Sequence, residues 1–255
     1  MKSIAVVGAG AVGSYYGCRL VEVGEDVRFL LRSDLDEVRG KGFTVRSVDG
    51  DFEVKRPRVA GSAEELGKVD LVVVAWKATA NRYAAEVVGP LLHEETRILT
   101  LQNGLGNVEH LQGLFGRERV LGGLCFVCIN RLAAGVIAHT GGGMVTIGER
   151  EETGILDEVV ERFGKAFRVK KVEDLALAQW QKLVWNVPFN GLCVLEDVDT
   201  QEITEDAKKI LDAVIPGYAR ELMKNDEVWR EISDISIVGH ASPRYNGQAV
   251  SPEEK

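Results

Sequence analysis

The chain has 255 residues, 45% of them hydrophobic and 27% charged, so it can bury a sizeable core and is neither disordered nor fibrous in composition. Its formal net charge of -8 argues against a non-specific nucleic-acid binder or a protein that coats anionic membranes, since both need a basic surface. The N-terminal run IAVVGAGAVG is too short and too glycine-rich to span a bilayer, and it lacks the flanks of a secretory signal, so a cytoplasmic protein with a small-molecule partner is expected.

Ser3 to Val7 reads as a short buried strand that runs directly into GAGAVG, with Gly8, Gly10 and Gly13 in G-x-G-x-x-G register. A segment of helical length follows, stops at Gly24, and gives way to a second strand, DVRFLLR. That strand, glycine turn, helix, strand order turns a weak motif into a dinucleotide site. The loop Gly8, Ala9, Gly10, Ala11, Val12 and Gly13 is expected to cradle a pyrophosphate at a helix N-terminus. An NAD site usually ends its second strand with an acid for the ribose 2′-OH, whereas a 2′-phosphate wants a cation. Here the strand ends in Leu31 and Arg32, with Asp34 two residues later, and Arg32 favours NADPH/NADP+.

Asp70 to Ala75 predicts a third parallel strand that runs out into Trp76 and Lys77, placing Lys77 toward the cofactor. Arg97 to Leu101 predicts a fourth, followed by a polar turn with Gln102, Asn103 and Asn107, from which Asn103 is expected to reach a ligand. Residues 119 to 148 read as three strands, the last two joined through Gly141, Gly142 and Gly143. Cys125 and Cys128 form a C-x-x-C in the first of these. Positions three apart on a strand face opposite ways, so two inert thiols are expected in preference to a zinc or redox site, and no metal is expected. His139 reads as an ordinary strand residue. TGILDEVVERFGKAF predicts an amphipathic helix carrying Ile155, Val159, Phe163 and Phe167, and FRVKKV a final strand.

From Leu175 no further strand is convincing. In QWQKLVWNVPFNGL, Lys182, Asn186 and Asn190 recur every four residues and so share one face of a helix. The residues around them, Trp180 and Trp185 included, are apolar, so the helix is expected to be buried and its polar stripe needs partners or a ligand. Pro188 falls inside the stripe, where it should kink the helix and curve Asn190 around a compact ligand.

Taken together, GAGAVG, the Lys77 strand end, LQNGLGN, the HTGGG stretch and WQKLVWNVPFNGL resemble the ketopantoate reductase family over roughly residues 1 to 195. The resemblance implies an α/β fold: a Rossmann-type doubly wound sheet over residues 1–168 as the NADP-binding domain, then a smaller all-helical domain over 169–255 for substrate and dimerisation. It implies NADPH-dependent reduction of 2-dehydropantoate to pantoate. Lys182 matches the proton-donating lysine, Asn186 and Asn190 the amides that hold substrate, Asn103 a residue between nicotinamide and substrate, and Arg32 and Lys77 contacts to the NADP phosphates. The family's late serine and glutamate motif has no counterpart. Ser242 and Glu253 stand in nothing that matches it, and the last sixteen residues read as a tail. An NADP(H)-binding module with impaired catalysis, and a reductase of another branched 2-oxoacid, therefore stay open beside the leading reading. A homodimer formed through the helical part is also expected.

Overall fold

The computed structural model describes residues 1–183 and Asn186. The chain divides into two compact units, Met1–His139 with Gly143–Leu183, and Thr140–Gly142 with Val184–Lys255. The first is an α/β unit of Rossmann type.

Its elements run β1 (Ser3–Val7), α1 (Ala11–Glu22), β2 (Asp26–Leu30), α2 (Leu35–Lys41), β3 (Phe43–Ser47), β4 (Phe52–Val54), β5 (Arg58–Ala60), α3 (Ala63–Leu66) and β6 (Leu71–Val74). A 3-10 turn (Ala78–Tyr83) then leads into α4 (Ala84–Val88), β7 (Arg97–Thr100), α5 (Asn107–Phe115), β8 (Val120–Ala133), β9 (Val136–Glu149), α6 (Leu156–Phe163) and β10 (Val169–Lys171). A last helix, α7, covers 175–183. Among the described residues the strands form one sheet in the order β4-β3-β9-β8-β7-β6-β1-β2-β5, with β10 paired to β9.

The parallel centre follows from the residues that build it. Along β1, Ile4 and Val6 join one buried cluster with Phe29, Leu71 and Val73, while Ala5 and Val7 join the opposite one with Val72, Val74 and Ile98. Alternate side chains thus bury on both faces, which explains why the strand reads as a continuous apolar run. β1 pairs in parallel with β2 on one side and with β6 on the other. The chain therefore reverses its direction of travel through the sheet between β1 and β6, and the carboxyl ends of those strands open a crevice there.

One expectation changes, and one unassigned stretch is filled. Gly141, Gly142 and Gly143 are not a hairpin turn: they lie inside β9, a single 14-residue strand, and the turn out of β8 is Ala134 and Gly135. β3 pairs with the first part of β9, Val136 to His139, and β10 with the last part, Val145 to Ile147. The glycines bend the strand where it passes from one partner to the other, and Gly142 and Gly143 take φ of 75° and 106°. Residues 33 to 67, which carry no assignment from sequence, hold α2, β3, β4, β5 and α3. No helix among the described residues is long and apolar enough to cross a membrane.

α1 seats on the sheet through Gly17, where an added Cβ would lie 2.4 Å from Cε1 of Phe29, a fully buried ring. In a free helix, Gly to Ala gains about 1 kcal/mol, but forcing a methyl into a packed core costs about 1–3 kcal/mol. Gly17→Ala is expected to lower the urea midpoint of unfolding; a raised midpoint would show that α1 is not seated on β2 through this contact.

Candidate active site

Because β1, β6 and β7 are parallel, the segments that follow them emerge at one edge of the sheet. Gly8 ends β1 with φ of 91°, and a Cβ on it would stand 2.4 Å from the backbone nitrogen of Trp76. Only glycine fits both the conformation and the contact. The Gly10 N–H donates to the Gly8 carbonyl at 2.8 Å, and the Ser14 hydroxyl donates to the Ala9 carbonyl at 2.9 Å, so the loop is tightly folded on itself. A Cβ on Gly13 would lie 2.4 Å from the Gly8 oxygen, which seats the first turn of α1 against the loop. At Gly10 an added Cβ meets nothing within 4 Å. Open space thus stands at the helix N-terminus, where backbone N–H groups lack intrahelical partners and the helix dipole favours an anion.

Arg32 is exposed one residue beyond Leu31, in the segment after β2, and Lys77 is exposed immediately after Trp76. Asp34 follows Arg32 closely, but its carboxylate is buried and accepts from Arg131 Nη1 at 2.5 Å and from the Ser33 hydroxyl at 2.7 Å. Burial alone would raise its pKa; those donors outweigh burial and hold the carboxyl below its usual value.

The segments after β6 and β7 are joined by side-chain amides. Asn81 Oδ1 accepts from Trp76 Nε1 at 3.0 Å and from Gln102 Nε2 at 2.7 Å, and its Nδ2 donates to Asn107 Oδ1 at 2.9 Å. Asn107 in turn donates to the Asn103 carbonyl at 2.9 Å, fixing the backbone from which the exposed Asn103 side chain projects. Asn81 escapes a sequence reading because its partners lie 5, 21 and 26 residues away and no local pattern marks it.

Lys182 lies on α7. Asp174 begins that helix by accepting from the Leu177 N–H at 2.9 Å. Leu175 fills a slot on the sheet made by two glycines: a Cβ on Gly122 would meet its Cδ2 at 2.6 Å, and one on Gly148 would meet its Cβ at 3.3 Å. Arg150 Nη2 donates to Gln179 Oε1 at 2.8 Å, adding a second tie. From this seat Lys182 Nζ donates to Asn103 Oδ1 and to the Cys125 carbonyl, both at 2.8 Å, and stands 5.2 Å from the centre of the Phe126 ring. Lys182 is only 9% exposed, and burial pushes its ammonium below the usual lysine pKa while the neighbouring Cys125 pulls the other way. Two of its three N–H donors are thus used among the described residues.

The structure therefore brings Lys182 and Asn103 into contact, and sets the glycine loop against the segment that carries Lys77. Asn186 is helical and half-buried. Asn190, Pro188 and Trp185 lie outside the described residues, as do Ser242 and Glu253. Trp180 does not share the expected burial: it is 58% exposed. Two residues before Lys182, it lies about 200° around the helix from a side chain that faces the sheet. Cys125 and Cys128 both sit on β8, and burial raises both thiols, Cys125 to about 11. Each is thus a protonated thiol at neutral pH. His139 is buried in β9, where its Nδ1 lies 2.8 Å from the Ser47 hydroxyl and 3.3 Å from that of Tyr15.

The sequence profile of ketopantoate reductase PanE/ApbA matches residues 4–152, and that of the same family's C-terminal part matches residues 174–224. The chain is 38% identical over 213 residues to the 2-dehydropantoate 2-reductase of a Nostoc species, covering 80% of this chain and 67% of that protein. The crystal structure of 2-dehydropantoate 2-reductase from Geobacter metallireducens superposes with a TM-score of 0.79 at 44% identity, over 82% of this chain and 71% of that one. At 22% identity the likeness is one of fold alone: a D-mandelate dehydrogenase solved with NADH and anilino(oxo)acetate gives a TM-score of 0.75 over 82% of this chain and 70% of its own. The chain spans about two thirds of the length of the curated relatives it matches. With both family profiles matched and a relative at this identity, the chain belongs to the ketopantoate reductase family.

Proposed function

We propose that this chain reduces 2-dehydropantoate to (R)-pantoate with NADPH, a step toward pantothenate and coenzyme A, and that Lys182 donates the proton. The observation that carries the reading is the Lys182 ammonium, buried yet held at 2.8 Å by Asn103 Oδ1 and by the Cys125 carbonyl. An unpaired buried ammonium is costly, so a protein keeps one where the charge has a use. The residues at the sheet edge fit a dinucleotide: the space over Gly10 admits a phosphate at the start of α1, and Arg32 and Lys77 supply exposed cations beyond two neighbouring strand ends. A 2′-phosphate would be met by Arg32, while the nearby acid Asp34 is already engaged by Arg131.

When bound, NADPH supplies the hydride. The ketone carbon that receives it leaves negative charge on its oxygen, and Lys182 both stabilises that charge and protonates the oxygen to the alcohol. Its third N–H, without a partner among the described residues, is the donor for this contact, and a proton from solvent then restores the ammonium. Asn103 fixes the direction of that donor. Asn186 and Asn190 take the substrate's hydroxyl and carboxylate in this reading, on the helical domain (169–255), while residues 1–168 hold the cofactor.

The deciding experiment is NADPH oxidation by the chain with and without 2-dehydropantoate, beside a direct NADPH binding measurement. Substrate-dependent oxidation is expected. NADPH binding without it would select a nucleotide-binding module, and turnover confined to another branched 2-oxoacid would move the substrate assignment. Lys182→Ala is expected to lower kcat by about 10²- to 10⁴-fold, the usual worth of general acid help, and to leave the NADPH Kd within threefold of the parent. Unchanged turnover would remove Lys182 from the chemistry. The pH dependence has a definite sign. Reduction needs the charged ammonium, so kcat is full at low pH and falls as pH rises through the Lys182 pKa. Because burial lowers that pKa, the alkaline limb is expected below the ordinary lysine value of about 10.4. Asn103→Asp places a carboxylate beside the ammonium and should move the limb to higher pH; a limb that does not move would show that another group sets it.

A further inference from the structure

Asp34 is the N-cap residue immediately before α2 and begins that helix with its backbone carbonyl, which accepts from the Val38 N–H at 2.9 Å. An aspartate at such a position ordinarily turns its carboxylate onto the helix's own N–H groups. Here no such side-chain cap forms. The carboxylate faces the β8–β9 hairpin instead, where Arg131 Nη1 meets Oδ2 at 2.5 Å, and the Ser33 hydroxyl donates to Oδ1 at 2.7 Å. The hairpin is held in place for this contact by its turn. Gly135 takes φ of 70°, its carbonyl accepts from the Thr44 N–H at 2.9 Å, and a Cβ on it would lie 2.8 Å from the Gly42 oxygen and 3.2 Å from Val38 Cγ2. Any side chain there would lift the hairpin off α2 and carry Arg131 away from Asp34.

The position of this pair gives it a consequence. Val7 of β1 is in register with Leu30 of β2, so the segment from Leu31 to Asp34 leaves the sheet beside the glycine loop. An acidic residue in that segment is what a nicotinamide dinucleotide lacking the 2′-phosphate uses to bind its ribose, and what a 2′-phosphate, carrying nearly two negative charges, must avoid. We propose that Arg131 is a specificity-determining residue: by pairing with Asp34 it turns that carboxylate away from the ribose and cancels its charge, so that the strand end presents Arg32 alone to a 2′-phosphate. The proposal rests on the NADPH reading above. Arg131 acts through Asp34 and does not touch the phosphate. Its side chain is 46% exposed and that of Asp34 11%, so solvent screens the pair only in part and its charge balance is felt at the neighbouring strand end.

Calorimetric titration of NADPH and NADH into the chain tests this without reference to turnover. The parent is expected to bind NADPH more tightly. Arg131→Ala exposes the Asp34 charge and should weaken NADPH about tenfold or more, as an uncompensated like charge does at a binding site, while NADH holds or tightens. Adding Asp34→Asn to Arg131→Ala should restore the NADPH Kd to within threefold of the parent, because the charge that Arg131 cancels is then gone. A parent that binds NADH as tightly as NADPH would overturn the cofactor reading and this proposal with it. A parent that prefers NADPH, with an unchanged preference in Arg131→Ala, would overturn the proposal alone. A double variant that stays weak would overturn it by making Arg131 a direct phosphate ligand. Should the single variant fail to fold, Asp34→Asn and the double variant decide: equal NADPH Kd values are expected, and a weaker double variant rejects the proposal.

Discussion

The structure turns on the contact between the glycine loop and Trp76, at the place where the chain reverses its progress through the sheet. Gly8 sits so close to the Trp76 backbone that a single added carbon would overlap it. That approach fixes the separation of the segments leaving β1 and β6, and everything at the sheet edge inherits the spacing. Trp76 passes it on through its indole N–H to Asn81, Asn81 to Asn107 and Gln102, Asn107 to the Asn103 backbone, and the Asn103 side chain to Lys182. A close packing contact followed by a run of hydrogen bonds thus joins the loop expected to hold pyrophosphate to the lysine expected to act on a ketone. Hydride transfer depends on holding two reacting atoms about 3–3.5 Å apart, which is what a rigid connection of this kind provides.

Lys182 shows how the same frame supports a group that opposes folding. Taking an ammonium out of water costs free energy, and a carbonyl, an amide oxygen and an aromatic face return only part of it. The rest is met by packing elsewhere on the helix. Leu175, fully buried against the glycine slot of β8 and β9, lies seven residues before the lysine, two turns along α7 on the same side. The apolar anchor carries the helix onto the sheet, and the lysine is brought down with it. The apolar anchor and the buried charge are therefore supplied by different residues of one short helix.

How much of this could be read from the chain depends on the distance over which each signal acts. The glycine loop was legible because its strand and helix flank it directly, and the position of Lys77 and Asn103 at the sheet edge because each follows a strand that ends there. The spacing of Lys182 and Asn186 marked a polar stripe, but Leu175 and its glycine slot were invisible, since the slot comes from Gly122 and Gly148, far off in sequence. Gly141 to Gly143 misled for a physical reason: glycine marks a turn and a strand bend alike, and only the change of partner from β3 to β10 tells which is present. The β3–β4 hairpin did carry a local signal, alternating TVRSV and DFEV about an Asp-Gly pair, that a search for parallel strands passes over.

Asp34 carries this furthest. Read locally it is an acid near a ribose, a feature of NAD sites, and set against Arg32 it leaves the cofactor choice as a contest between neighbours. In the folded chain its charge is answered by an arginine 97 residues away, on a hairpin pinned in place by a glycine. The sign of the field at the end of β2 is thus set jointly by the strand and by a distant hairpin that docks on the next helix. A strand-end residue shows what charge a site could offer, and the hairpin decides which charge it does offer. In such a fold, cofactor preference can shift through substitutions in the hairpin alone, with the glycine loop and the strand end left untouched.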